Sequence, residues 1–270
     1  MELELKGKVA VITGATDGIG RAAALMLAHE GAKVAICSRR AEAVAKTLEE
    51  IQRAGGDAFG MAADMSKAAD IERFIGAATR HFGRLDILVN NAGTSKRGAF
   101  LELDDAAWSA DLELKVFGAI RCTRLAVPHM RRQGGGQIIN ISSVAGKVAI
   151  PWMGGYCATK FALNALSDSL RMELAPDRIQ VITVCPGRID TPFVHNAFRD
   201  PSTQPLPPNG IAAERVARAV LRASLRGKRE IVVPASNWMF VWLHALFPRL
   251  TDFLMVSFLR GRMPKAQNLT

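Results

Sequence analysis

The chain has 270 residues, of which 49% are apolar and 22% charged, and it carries a formal net charge of +10. That length can bury a sizeable core and favours one large α/β domain, and the composition is that of an ordinary globular protein. The positive charge favours anionic partners, yet the basic residues are dispersed in short clusters (Arg39-Arg40, Arg131-Arg132, Lys228-Arg229) without an aromatic-interleaved stripe or a nucleic-acid motif. No nucleic-acid partner is expected.

The elements alternate along the chain. Runs such as Lys8–Thr13 (KVAVIT) and Lys33–Cys37 (KVAIC) predict strands, and apolar spacing of helical period predicts helices over Ile19–Glu30 and Ala41–Ala54. The alternation continues with strands at Asp57–Met61, Leu85–Val89, Gly136–Ile141, Arg178–Val184 and Glu230–Val233. Between them lie helices near 67–82, 104–132, 152–174 and 212–225. Continuous apolar strands separated by helices imply a parallel sheet covered on both faces. Right-handed crossovers then give a Rossmann-type, doubly wound α/β fold. No linker divides the chain: the expected single domain has a core at about 6–235 and an apolar helical extension at about 236–270. Residues 188–211 hold five prolines and little periodicity, which reads as a long binding loop or as simple disorder.

Cysteines 37, 122, 157 and 185 show neither paired nor metal-type spacing. No metal site is expected, and a reducing, cytoplasmic setting fits. The N-terminus has no charged leader before a long apolar stretch, so no signal peptide is expected.

After the first strand comes Thr13-Gly14-Ala15-Thr16-Asp17-Gly18-Ile19-Gly20. Glycines between a strand and a helix allow a tight turn and let a pyrophosphate approach the positive helix N-terminus. The second strand ends at Cys37-Ser38-Arg39-Arg40. An acid here would repel a 2′-phosphate and an arginine would bind it, so Ser38 and Arg39 favour NADP(H) over NAD(H), with Asp17 a small argument the other way. Asp64 and Met65 follow the third strand, where a carboxylate could meet an adenine amino group; Asn90-Asn91-Ala92-Gly93 follows the fourth, where small residues suit a flat cofactor across the sheet edge.

Tyr156 is the only tyrosine, and Lys160 lies one helical turn beyond it. Residues four apart share a helix face, so the two are expected to point the same way. A phenol titrates near ~10; a neighbouring ammonium favours the phenolate and lowers that value. The pair could then serve as general acid for carbonyl reduction or general base for alcohol oxidation. Ser142 and Ser143 end the fifth strand, and a hydroxyl from either could bond the substrate oxygen beside the phenol.

These motifs, in this order over about residues 6–235, resemble the classical short-chain dehydrogenase/reductase family. The resemblance implies that Thr13 to Gly20 is the family's glycine motif and that Asn90 to Gly93 is its NNAG motif. It assigns the catalytic serine to Ser143, with Tyr156 and Lys160 as the YxxxK pair. It also implies that Lys160 binds the nicotinamide ribose. The segment Pro186-Gly187 to Thr191, with Ile189 inside it, lines the carboxamide, and Arg39 occupies the position linked to NADP preference. The long helices near 104–132 and 152–174 commonly form that family's subunit interface, so a homodimer or homotetramer is expected. One position departs: the family's asparagine, which holds a water in a proton relay, falls on Lys115. Lysine can donate from there but cannot accept through a side-chain carbonyl, and its charge would lower the pKa of Lys160 by repulsion.

Residues 238–259 are strongly apolar, but Pro248, Arg249 and Asp252 interrupt the run, so two short helices hinged at Pro248 are expected rather than a membrane span. Three readings stand: cover for the cleft or a partner subunit, peripheral membrane contact helped by Trp238, Trp242 and nearby arginines, or both. Together these features predict an NADP(H)-dependent enzyme interconverting a ketone or aldehyde and an alcohol on an apolar substrate. The alternative is a non-catalytic dinucleotide sensor or membrane-surface scaffold that keeps the fold.

Overall fold

In the computed structural model, residues 5–94, 100, 103–190 and 210–259 are described. Seven parallel strands form one sheet in the order β3-β2-β1-β4-β5-β6-β7. The strands are β1 (Val9–Thr13), β2 (Lys33–Ser38), β3 (Ala58–Ala62), β4 (Ile87–Asn90), β5 (Gly136–Ile141), β6 (Ile179–Pro186) and β7 (Glu230–Val233). The order reverses between β1 and β4. The crevice beyond the strand C-termini at such a reversal is where open α/β sheets bind ligands.

Helices cover both faces. On one side α1 (Gly18–His29) and the helix after the long loop, α7 (Ala213–Arg226), pack on β1, β4, β5 and β6 through Ile12, Leu27, Val89, Ile139, Val216 and Val220. On the other side α3 (Ala68–Phe82) and α5 (Gly118–Arg132) enclose Val11, Phe74, Leu88, Met130, Ile138 and Val181. Alternate residues of β1 thus serve opposite cores: Val11 belongs to one and Ile12 to the other. This explains the unbroken apolar runs of the inner strands. Helix α2 (Ala41–Arg53) lies along β2 and β3, and α4 (Asp105–Leu112) leads toward α5.

The structure departs from the sequence reading in two places that matter. The predicted single helix over 104–132 is broken by one π-helical turn, Glu113–Phe117, between α4 and α5. There the Gly118 N–H bonds back to the Glu113 carbonyl. Gly118 is needed at that point, because a Cβ would lie 2.6 Å from the Met65 carbonyl. The helix expected from 152 begins instead at α6 (Gly154–Glu173). Trp152 just before it has φ 59°, a left-handed conformation that a bulky residue rarely adopts and that stops the helix extending backward.

The long loop returns to its origin, since Ile189 and Ile211 form a parallel bridge; Thr191, Phe193 and Phe198 lie outside the described residues. Beyond β7, α8 (Asn237–Leu246) and α9 (Pro248–Leu259) form the expected hinged pair. They are pinned by a 2.8 Å contact between His244 Nδ1 and Thr251 Oγ1. Met239, Trp242, Leu246, Phe253 and Phe258 are all exposed. No helix among the described residues is long and apolar enough to cross a membrane.

Candidate active site

The glycine loop leaves β1 at the sheet's point of reversal. Gly14 has φ 65° and Gly18 φ 50°, conformations that favour glycine. A Cβ on Gly20 would lie 2.3 Å from the Gly14 carbonyl and 2.4 Å from Asn91 Nδ2. The loop is therefore drawn as tight as backbone allows. The Asp17 carboxylate accepts from the Gly18 N–H at 2.7 Å and caps α1. That helix N-terminus points its first N–H groups at the crevice, as a pyrophosphate requires. Thr16, Asp17 and Ile19 follow one another at this rim.

Asn91 has a structural task. Its Nδ2 donates to the Thr13 and Gly14 carbonyls at 3.0 and 2.9 Å, tying the end of β4 to the loop. Thr13 Oγ1 accepts from the N–H groups of Asn91 and Ala92, both at 3.0 Å. These bonds fix the Asn91-Ala92 backbone beside the glycine loop, with Gly93 following. Ser38 and Arg39 end β2, and Asp64 and Met65 follow β3. Burial raises the pKa of Asp64, but bonds from Ser66 and the charges of Arg39 and Lys67 outweigh it and hold the carboxyl below its usual range. Arg39 therefore faces the same rim as Asp64. Met65 is turned inward, its sulfur 3.9 Å from those of both Cys37 and Cys122.

On the other side of the crevice, α6 presents one buried face with Tyr156, Lys160, Leu163 and Ser167. The expected alignment is observed: Lys160 Nζ lies 5.6 Å from the centre of the Tyr156 ring. Lys160 Nζ donates to the Ile141 carbonyl at 2.7 Å, which fixes the amine at the end of β5. The two serines separate cleanly. Ser142 Oγ donates to the Lys160 carbonyl at 3.3 Å and braces α6. Ser143 hydrogen-bonds the Tyr156 side chain and reaches the Pro186 carbonyl at 3.3 Å. Pro186 and Gly187 continue from β6, where the Gly187 N–H donates to the Val233 carbonyl at 2.7 Å. Gly187 also abuts α8: its Cβ would meet Asn237 Nδ2 at 2.2 Å. Ile189 is buried behind this segment.

Electrostatics differ from the sequence expectation at one point. Burial pushes Tyr156 up to about 12, against the downward pull of the Ser143 hydrogen bond, with Cys157, Cys185 and Asp111 adding to the rise. Desolvation of the ring thus outweighs the Ser143 bond that opposes it. Lys160 is pushed down to about 7, first by burial and then by repulsion from Lys115.

Lys115 does face the site. Its side chain is 1% exposed, and its Nζ sits 2.7 Å from Asp111 Oδ2 and 5.1 Å from the centre of the Tyr156 ring. Sequence reasoning missed Asp111, although its spacing of four from Lys115 marks a shared helix face. Lys115 and Lys160 both line a narrow recess with Thr13, Asn90 and Ile141.

The residues at this edge fit a dinucleotide: a loop that only glycine can close, a helix N-terminus behind it, and a basic residue at the rim of β2. With a hydroxyl, a phenol and an amine grouped across the crevice, they define a Rossmann-type oxidoreductase. The family model of the short chain dehydrogenases matches residues 8–202, and the chain belongs to the short-chain dehydrogenase/reductase family. An uncharacterized oxidoreductase, YxnA of Bacillus subtilis, is 36% identical over 257 residues, covering 93% of this chain and 72% of that one. Among solved structures, a short chain dehydrogenase/reductase from Burkholderia phymatum in complex with NAD superposes with a TM-score of 0.84. It is 27% identical and covers 99% of this chain and 100% of its own. A variant of the actinorhodin polyketide ketoreductase with NADPH gives a TM-score of 0.79 at 30% identity, covering 86% and 97%.

Proposed function

We propose that the protein is an NADP(H)-dependent oxidoreductase that interconverts a ketone or aldehyde and an alcohol on an apolar substrate. The observation that carries this reading is the hydrogen-bonded Ser143–Tyr156 pair with Lys160 beside the ring, all grouped at the crevice of the glycine loop. A bound nicotinamide supplies or accepts the hydride. The chain does the rest. Ser143 holds the substrate oxygen, Tyr156 exchanges its proton, and Lys160 binds the ribose and biases the phenol. The glycine loop and the N-terminus of α1 hold the pyrophosphate. Asp64 and the Met65 backbone border the adenine, and Pro186, Gly187 and Ile189 border the carboxamide, with Thr191 outside the described residues.

The choice of NADP(H) rests on Arg39, whose charge already acts on Asp64 at the β2–β3 rim. Its fork geometry suits a 2′-phosphate. The relatives support both cofactors, one solved with NADPH and one with NAD, and the ketoreductase among them supports carbonyl reduction. The apolar substrate and peripheral membrane contact rest on the exposed side chains of α8 and α9. A cytoplasmic, reducing location is supported by four free, buried cysteines.

The test is oxidation of NADPH, and separately of NADH, against ketones running from small diketones to steroid and long-chain carbonyls. Turnover is expected with NADPH and should fall by roughly 10²–10⁴-fold in Tyr156→Phe, the usual share of a general acid. Tight dinucleotide binding with no turnover on any ketone would favour the sensor reading.

A further inference from the structure

A buried lysine beside a second buried lysine is costly, because neither ammonium keeps its hydration and the two repel. Lys115 and Lys160 are nevertheless 3% and 7% exposed, and both ammonium nitrogens lie within cation–π range of the same ring, at 5.1 and 5.6 Å. Asp111 makes this arrangement tenable. It is itself 6% exposed and stands 2.7 Å from Lys115 Nζ. The ion pair offsets part of the desolvation of the Lys115 ammonium and fixes its place. The π-helical turn aids the placement. It runs Glu113–Phe117, with Lys115 at its centre and Gly118 flush against the Met65 carbonyl.

We propose that Asp111 and Lys115 form a positioning pair for the proton-exchanging tyrosine, in which the carboxylate holds the Lys115 ammonium against the Tyr156 ring and beside Lys160, so that its charge acts on both. This rests on the reading of Tyr156 as the proton-exchanging group. The titratable groups acting on the cluster are Asp111 from α4, Lys115 from the π turn, Cys157 from α6 and Cys185 from β6, with the Ser143 hydroxyl bonded to the phenol. Their signs oppose one another. After burial, Lys115 lowers the affinity of Lys160 for its proton, while Cys185 and Asp111 raise it. The Lys115 effect is the largest of the three, so the pair as a whole makes Lys160 give up its proton sooner. A cation over the ring also favours the phenolate, so Lys115 pulls both partners in the same direction.

Tyr156 is the only tyrosine in the chain, which gives a test independent of turnover. Protein labelled isotopically at the tyrosine Cζ yields one carbon resonance, which reports charge changes at the ring as pH is scanned across the neutral range. The wild-type protein should show a step near the Lys160 value of about 7. In Lys115→Met the like charge is gone, and the step should move up by roughly one pH unit or more. That variant leaves Asp111 buried without its partner, so the double variant Asp111→Asn/Lys115→Met is measured beside it, with thermal melting to confirm folding. The double variant should also move up, by less, because the opposing Asp111 effect is removed too. In both, the pH profile of kcat/KM for alcohol oxidation should shift in the same direction. A step unmoved in both folded variants overturns the proposal and leaves the pair a purely structural contact. A moved step without turnover of any carbonyl would keep the pair's action on the ring and remove instead the reaction it is said to serve.

Discussion

Lys160 illustrates how one buried residue links stability to pH. An ordinary lysine titrates near ~10.4, but burial and Lys115 bring this one down to about 7 in the folded protein. Between those values the unfolded chain holds a proton that the folded chain has released. Stability therefore rises with pH through that window as far as Lys160 is concerned. Below about 7 both states are protonated, and the charge is buried at full cost. Tyr156 limits the window from above. Its pKa is raised in the folded protein, so its contribution is lost once pH climbs past the ordinary phenol value near ~10. The expected outcome is a melting temperature that increases from mildly acidic to mildly alkaline pH. That increase should be smaller in Lys160→Met, which has no amine to release. Melting curves collected at a series of pH values check this, and equal slopes for the two proteins would refute it.

At the scale of elements, the apolar helices α8 and α9 make the sharpest demand on the surroundings. Trp242, Phe253 and Phe258 are each more than half exposed, and each would lose its cost of hydration by entering an interface. Because these side chains are not part of the two cores, Trp242→Glu with Phe253→Glu should change unfolding free energy by no more than about 0.5 kcal/mol per site. On the proposed membrane contact, the unaltered chain should sediment with vesicles rich in anionic lipid, which its net charge of +10 favours, and the same substitutions should abolish this. Persistent vesicle binding by the double variant would move the membrane contact elsewhere on the surface. Both helices, and their hinge at Pro248, were legible in the sequence because a proline and two charges interrupt an apolar run. The strands were legible for a related reason: a buried parallel strand such as β1 needs apolar residues on both faces, so it appears as an unbroken run. The Tyr156–Lys160 alignment followed from helical spacing alone. What escaped were features created by tertiary contact. The π turn at Glu113–Phe117 is defined by the register of its backbone hydrogen bonds and not by a residue type, so no motif announces it. The net upward shift of Tyr156 depends on its burial, which no spacing of charges reveals. The separate tasks of Ser142 and Ser143 depend on which way consecutive side chains leave β5, and Asp111 acquires meaning only when Lys115 is seen to be buried.

For the whole molecule, the sheet acts as a platform that brings distant residues to one edge, and dinucleotide binding should therefore stabilise the entire fold. The glycine loop after β1, the Asn91 bonds from β4, the rim of β2 and the face of α6 meet there although they are far apart in sequence. A ligand that binds only the folded state adds RT ln(1 + [L]/Kd), about 2.7 kcal/mol at a hundredfold excess over Kd. For a domain of this size each kcal/mol raises the melting temperature by roughly 2–4 °C. NADPH should thus raise the melting temperature by several degrees and, on the proposed role of Arg39, by more than NADH at equal concentration, because a guanidinium there would meet a 2′-phosphate in one and only ribose hydroxyls in the other. Arg39→Asp should reverse the order, since a carboxylate accepts from those hydroxyls and repels the phosphate. Added salt should narrow the NADPH advantage, because the phosphate–guanidinium attraction at an exposed rim is screened. Equal shifts for the two dinucleotides, unchanged in Arg39→Asp, would place the discrimination outside β2. A larger shift with NADH would overturn the NADP(H) assignment while leaving the platform and its site as described.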